Sequence, residues 1–430
     1  MPAAMSAEAR QAGLLVIADD LSGAADCAAG FARHLPTRVL LEQTADHSGC
    51  PVIALDLDTR RLAPQPAARL NRSVLGNPAL RGRYLYKKID STLRGNLASE
   101  VSALLEHGMA LVAPAFPALR RTTRDSIQYL DGVPVNDSDV WRNEGLTGTA
   151  NLLELFSGEG LNCAALDLLQ VRGGNLAGQL HQHLLDGTQV LICDAEQDAD
   201  LHSLALASAA FADRLFWVGS AGLALHLPAA LGLPAAGEPC RPQAAQGGPI
   251  LTVVGSMSRH SQAQAALLAE RTGQRWARVE PRLLLDGSAH SERQALAIHL
   301  ASVLDSGSDL LVSLDQAQRA PEQAAQLSQA LAGLLAALPA KAAALIATGG
   351  ETARALLTVA ELNALQLHGE LAPGVVLSSA LHQGRTLPVV TKAGGFGQPD
   401  TLYQAWAHLC QARDSRSEPT PPNNEEPQHV

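Results

Sequence analysis

The sequence predicts an α/β fold in two domains, each a mostly parallel sheet flanked by helices, with the active site in the cleft between them. Three observations predict it. Short apolar runs such as LLVIA, PVIALD, ALVAPAF and ILTVV recur, and most pass through Gly, Ser or Asp into Ala- and Leu-rich helical stretches, the rhythm of βα units. A Pro/Gly/Ala segment interrupts this rhythm at 229–248 and reads as a linker. Charged residues collect at strand ends before it, and Gly-rich turns collect after it. The expected division is a first domain over 1–228, the linker, a second domain over 249–413, and a polar, Pro-rich tail over 414–430 with the composition of disorder.

Composition narrows the function. The 430 residues are 47% hydrophobic and 17% charged, a soluble globular balance whose length suits two ordinary domains. Aromatics are only 3%, so the cores must be built from small aliphatic side chains. A formal net charge of −10 argues against a nucleic-acid partner, which ordinarily meets a basic stripe. Six cysteines without a CxxC pair read as buried thiols of a reducing compartment. No apolar run reaches membrane-spanning length, and MPAAMSAEARQAG lacks the apolar core of a signal peptide. A cytoplasmic protein with no membrane partner is expected.

The first strand, Leu14–Ala18, delivers Asp19 and Asp20 to its carboxyl end, and the chain then turns at Ser22-Gly23 into a helix. Ligands of parallel α/β sheets sit beyond the carboxyl ends of strands, so this acidic pair is a candidate for chemistry. Capping the helix is the competing role for Asp20. A second strand, PVIALDLDTR, ends at Asp56, Asp58, Thr59 and Arg60, and a third, RYLYKKID, at Lys87, Lys88 and Asp90. After STLRGN, the residues Leu93, Leu97, Val101, Leu104 and Leu105 keep helical spacing. Lys88, Asp90, Ser91 and Arg94 therefore gather at one turn. Burying them is costly unless they serve a ligand or one another, as a Lys88–Asp90 ion pair would. ALVAPAF is a fourth strand; it runs into a loop with Arg120, Arg121 and Arg124 as a basic lip, and YLDGVPVND reads as a hairpin. Units over NCAALDLL, over TQVLICDA with a helix at 198–211, and over RLFWVGSAGLALHL complete this half.

The second half opens with PILTVV, which places Gly255, Ser256 and Ser258 between strand and helix. WARVE and DLLVSL are further strands, 321–341 is an Ala/Leu-rich helix, and HGELAPGVVLSSAL is a strand. In LIATGGETARALL a strand ends at Thr348, Gly349 and Gly350 turn the chain, and Glu351 and Thr352 begin a helix. LPVVTKAGGFG ends a last strand at Lys392, followed by Gly394, Gly395 and Gly397. Such turns offer free backbone N–H groups and a positive helix end to an anion, and glycine lets the backbone approach a phosphate closely. A single Gly-Gly turn is often purely steric, but three Gly-rich turns in one segment form a phosphate cradle.

P-loop and dinucleotide fingerprints, HExxH, GxSxG and clustered Cys/His are all absent from the sequence. Phosphoryl transfer needs mainly positioning, charge neutralisation and a base near the acceptor hydroxyl. The division of features suits a kinase with its acceptor on the first domain and its nucleotide on the second.

The blocks ADDLSGAAD, KKIDSTLRGN, APAFP, VGSAGLA, VVGSMS, ATGGETA, GELAPGV and LPVVTKAGGFG resemble the four-carbon acid sugar kinase family over nearly the whole chain outside the linker and tail. The resemblance implies an acid-sugar-binding domain followed by a nucleotide-binding domain. It also implies transfer from ATP, with Mg²⁺, to the terminal (4-) hydroxyl of a four-carbon sugar acid, D-threonate being the first choice. A 3-oxo-tetronate kinase is the alternative, and a non-catalytic sugar-acid sensor is the alternative of another class. Carried over by motif, ATP contacts fall on Ser258, on Gly349, Gly350, Glu351 and Thr352, and on Gly394 or Gly395; the cradle itself adds Ser256 and Lys392. Acid-sugar contacts fall on Asp19, Asp20, Arg60, Lys88, Asp90, Ser91 and Arg94. Leu-Ser-Gly stands where Phe-Thr-Gly or Leu-Thr-Gly is more usual, and ALRRTTRDS replaces a shorter GRT-type loop, which leaves the identity of the acid open. Metal ligands are unassigned and a homodimer is left open.

Among the cations, Arg60 and Arg94 have the planar fork that suits a substrate carboxylate, with Lys88 beside them. The base that takes the hydroxyl proton is one of Asp19, Asp20 and Asp90. Lys88 and Arg94 flank Asp90 and should lower its pKa. Asp19 and Asp20 have no adjacent cation in sequence and should raise one another if they converge. Alternation along the strand sends one of them to the cleft, and Asp20, further beyond the strand, is the expected base.

Overall fold

The computed structural model describes residues 13–45, 49–234, 247–256, 258–315 and 323–414. Most of the predicted linker, the tail beyond 414 and Cys240 lie outside these residues. The first half contributes β1 (Leu14–Ala18), β2 (Thr37–Leu40), β3 (Val52–Asp56), β4 (Tyr84–Lys88) and β5 (Met109–Ala113). It continues with β6 (Arg121–Arg124), β7 (Ile127–Leu130), β8 (Val133–Pro134), β9 (Cys163–Leu166), β10 (Val190–Cys193) and β11 (Leu215–Gly219). The second half contributes β12 (Ile250–Val254), β13 (Arg275–Val279), β14 (Leu310–Leu314) and β15 (Ala344–Thr348), then β16 (Ala364–Ala372), β17 (Val375–His382) and β18 (Arg385–Lys392).

Eight strands of the first half pair in parallel in the order β2-β3-β1-β4-β11-β5-β10-β9. In the second half β13-β14-β12-β15-β18 are parallel, and β17 and β16 return antiparallel. The fold is α/β with mostly parallel sheets, as expected. The sheets are also continuous: β16 pairs antiparallel with β2, giving one 15-stranded sheet. Each edge strand supplies the other's backbone partners, so neither edge is left unpaired. Gln366 on β16 reinforces the seam, accepting from Arg38 at 3.2 Å and donating to the carbonyl of Thr37 at 3.0 Å.

Several elements differ from expectation. β2 has no counterpart in the sequence reading. HGELAPGVVLSSAL is two strands, β16 and β17, turned at Pro373-Gly374. The helix after STLRGN is Leu97–Ser102: Leu93, at a left-handed φ of 59°, falls before it, and Leu105 falls in a separate 3-10 turn after it. The helix expected over 321–341 spans Ala324–Leu335. The basic lip is partly strand: β6 joins β7 and β8 in a small antiparallel sheet.

The core is aliphatic, as the scarcity of aromatics requires, with Trp217, Tyr86 and Phe31 the largest side chains wholly inside. Cys27, Cys50, Cys193 and Cys410 are buried and Cys163 is half-buried. Alternation along β4 sends Lys87 and Lys88 to opposite faces. Lys87 meets Glu100 of the short helix at 2.5 Å, a fully buried ion pair behind the site.

Candidate active site

Register sets the first half of the site. β1 pairs with β3 and β4 so that Ala18 is level with both Asp56 and Lys88. Residues 19–20, 57–60 and 89–94 therefore leave the sheet together at its carboxyl edge. Arg60 turns back across this edge: Nε and Nη2 donate to Asp19 at 2.7 and 2.9 Å, and Nη2 also donates to Asp20 Oδ1 at 2.8 Å. Asp20 Oδ1 also accepts from Gly23 N at 3.0 Å, capping the helix Leu21–Ala32. The capping role and a place in the cleft lining coexist, because Asp20 caps through one oxygen only.

Burial alone would raise Asp19, but Arg60, with Lys87 and Lys88 behind it, holds the carboxyl below its ordinary value. The expected mutual raising of Asp19 and Asp20 therefore fails for Asp19. The cation that prevents it lies 41 residues away in sequence and only folding brings it adjacent. Asp90 is likewise held well below its ordinary value: burial is overridden by Arg94, which donates to both carboxylate oxygens at 2.8 and 2.9 Å. The ion pair at this turn is thus Asp90–Arg94, not Lys88–Asp90; Lys88 instead donates to the carbonyl of Ile89 at 2.8 Å. Arg94 also reaches Glu144 at 2.8 Å.

These residues enclose a cavity of about 60 Å³ lined by Asp20, Lys88, Asp90, Ser91, Arg94 and, unforeseen as site residues, Arg121, Asp26 and Phe396. Asp26 stands one helical turn beyond Ser22, a spacing that puts both on one face; that periodicity was the available signal. Asp26 is hydrogen-bonded to Glu370 of β16, and burial raises Asp26. Burial and the charge of Asp26 push Glu370 up to about 8, although Gly374 N donates to it at 2.9 Å. Phe396, an aromatic inside a Gly-rich turn of an aromatic-poor chain, comes from the other half.

The small cavity opens into a cleft of about 780 Å³ between the halves, lined on the far side by Ser256, Ser258, Gly349, Gly350, Glu351, Thr352, Gly394 and Gly395. The three Gly-rich turns meet there. Ser258 caps the helix Arg259–Thr272 and its Oγ donates to the carbonyl of Gly394 at 3.1 Å. Gly349 N donates to the carbonyl of Lys392 at 2.9 Å while its φ is +95°, a backbone state that favours glycine. Thr352 Oγ1 is bonded to Ser328 at 2.9 Å, and the amino end of the helix Gly350–Val359 lines the cleft. Glu351 is paired with Arg61 of the first half.

Lys392 departs from expectation. It is 1% exposed and donates to the carbonyls of Ala393 and Phe396 at 2.9 and 2.8 Å, while burial lowers it to about 8. It braces the last turn from beneath and does not line the cleft. Asp19 also stands back from both cavities, behind Arg60.

Residues 14–227 match the model of a sugar-binding N-terminal domain, and residues 251–402 that of a nucleotide-binding C-terminal domain. A D-threonate kinase from Cupriavidus necator is 45% identical over 93% of this chain and 98% of its own length. The chain belongs to the four-carbon acid sugar kinase family. A second family member, a 3-oxo-tetronate kinase from Cupriavidus necator, is 29% identical over 91% of this chain and 96% of its own. The family fold recurs in crystal structures from Salmonella typhimurium and Haemophilus influenzae. Both are 22% identical, with TM-scores of 0.76 and 0.70, covering 91% and 92% of this chain and 98% and 100% of theirs. Among the described residues no helix is long and apolar enough to cross a membrane.

Proposed function

We propose that this protein is an ATP-dependent kinase that phosphorylates the 4-hydroxyl of D-threonate, with the acid sugar on residues 1–228 and the nucleotide on 249–413. One observation carries the reading beyond the 45% identity to a D-threonate kinase. The cavity of charged side chains opens directly onto the Gly-rich turns, and a Cβ placed on Gly350 would lie 3.2 Å from Asp20 Oδ2. An acceptor hydroxyl beside Asp20 is then beside whatever phosphate the turns hold.

In this reading the amino end of Gly350–Val359 and the turns at Ser256–Ser258 and Gly394–Gly395 bind the ATP phosphates through backbone N–H groups and hydroxyls. Asp20 Oδ2, which no protein donor occupies among the described residues, orients the 4-hydroxyl and takes its proton as the oxygen bonds to the γ-phosphorus and the bond to the β-phosphate oxygen breaks, releasing ADP. Asp19 and Arg60 hold Asp20 in place, and Lys88, Asp90, Ser91 and Arg94 line the acid-sugar cavity. Mg²⁺ takes phosphate oxygens plus one or two carboxylates in such sites. Glu351 lines the cleft beside the turns, and is the carboxylate that would hold an ion arriving with ATP.

The test is ADP release with ATP and Mg²⁺ across a panel of D-threonate, D-erythronate and 3-oxo-tetronate. Preference for D-threonate is expected. Stronger turnover of another acid would reassign the substrate, and binding without ADP release would mean a sensor.

A further inference from the structure

The cations around the small cavity differ in what already neutralises them. Arg60 is held by Asp19 and Asp20, and Arg94 by Asp90 and Glu144. Arg121, at the start of β6, has no carboxylate within ion-pair distance among the described residues. One amine of its fork donates to Ser91 Oγ, and its Nε is buried without a hydrogen-bond partner. The guanidinium carbon lies 5.5 Å from the centroid of the Phe396 ring, within cation–π range. Asp90 and Asp26 act on this guanidinium only from beyond ion-pair distance and burial still lowers it, so a half-buried cation without a direct partner is costly unless a ligand supplies one.

We propose that Arg121, steadied against Phe396, receives the carboxylate of the acceptor acid and so fixes which end of the molecule reaches the phosphate. The inference rests on the acid-sugar kinase reading and moves the carboxylate from Arg94 to Arg121. Lys88, which donates to the backbone carbonyl of Ile89, stands in the same cavity as a second positive charge. Asp26 and Asp90 line the remaining wall and suit hydroxyls, which donate to carboxylates, but would repel the acid's own carboxylate. With the charged end at Arg121, the far hydroxyl points to Asp20 and the Gly-rich turns. Phe396 belongs to the same turn as Gly394 and Gly395, and its ring lies against Gly374 of the β16–β17 turn. The nucleotide half thus completes the acid's anchor.

The test compares D-threonate with its neutral primary amide in wild type, R121Q and R121K. For R121Q, the KM for D-threonate should rise roughly 10- to 100-fold, as loss of a charge-assisted bidentate bond implies, with the KM for ATP unchanged. Its preference for acid over amide in kcat/KM should fall by the same factor. R121K, which keeps the charge without the fork, should retain the preference with a raised KM. An unchanged KM in R121Q, or parallel losses for acid and amide, overturns the proposal; should R121Q prove insoluble, an unchanged KM in R121K does so. If wild type turns over no four-carbon acid, the proposed function fails by itself. Calorimetric binding of the acid and amide to wild type and R121K then still decides whether Arg121 reads the carboxylate.

Discussion

Arg354, one turn into the helix that begins at Gly350, reaches across to the first half and pairs with Asp56 at the carboxyl end of β3. Its Nε lies 3.1 Å from Asp58, and Nη2 donates to the carbonyl of Leu41 at 3.2 Å. One side chain on the nucleotide half therefore ties the ends of two acid-sugar strands, beside the β16–β2 seam. The helix whose amino end faces the cleft cannot move without this clamp yielding.

R354M should remove the clamp and leave Asp56 buried without its cation, a change that costs roughly 3 kcal/mol in comparable buried pairs. Burial already pushes Asp56 up to about 7 against the pull of Arg354, so in R354M the carboxyl can escape by taking a proton. The stability loss should therefore be larger at pH 8 than at pH 6, and D56N/R354M should recover part of it. Urea unfolding at the two pH values measures this; equal losses would place the role of Arg354 elsewhere.

Gly350→Val tests the cradle. A Cβ there would lie 2.8 Å from Ser22 Oγ and 3.2 Å from Asp20 Oδ2. Ser22 can rotate away, so the protein should stay folded, but valine fills the gap through which, in the proposed function, a phosphate approaches the backbone. ATP affinity should fall by roughly an order of magnitude or more, the loss of one or two charge-assisted bonds, with an unchanged melting profile. Normal nucleotide binding in soluble G350V would remove this turn from the phosphate site.

The sequence made the strand–turn–helix units legible because apolar runs and Gly-rich turns are local signals. The βα turns at Asp20, Ser258 and Gly349 were therefore placed without a structure. What could not be read locally was pairing. Arg60 and Asp19 are brought together by the β1–β3 register, Arg94 turns to Glu144 fifty residues on, and Lys392 faces inward because the chain folds back over it. β2 and β16 find each other across more than three hundred residues, which no periodicity announces. Arg121 was visible as part of a basic lip, but its uncommitted charge was not.

Glu370 and Asp26 form a carboxyl pair between β16 and the helix Leu21–Ala32, near Lys88 and Arg33. The folded pKa of Glu370, about 8, lies above the unfolded value of 4.5. Its contribution to stability is therefore fully present below about 4.5 and is lost as pH rises through about 8. E370Q keeps one hydrogen-bonding oxygen and cannot ionise. Its melting temperature should match wild type most nearly at about pH 4.5 and exceed it increasingly up to pH 9. Parallel melting curves at both pH values would mean that no proton is shared there.

Asp20 is the acid whose two oxygens do different work. Oδ1 is fixed by Gly23 N and Arg60 Nη2, which sets the carboxylate plane, while Oδ2 faces Gly350 and the cleft. Asp19 and Asp90 are each gripped through both oxygens by an arginine and held below their ordinary values, which makes them weak proton acceptors. D20N preserves the Oδ1 contacts but offers an amide or a weak acceptor where the proposed mechanism delivers the proton. Its kcat should fall about 10²- to 10⁴-fold, the usual contribution of a positioned base, with both substrates still bound in equilibrium titrations. D19N should act indirectly, by loosening Arg60, and affect KM and kcat together. Near-normal kcat in D20N alongside collapse in D90N would move the proton to Asp90 and require Arg94 to release it during turnover.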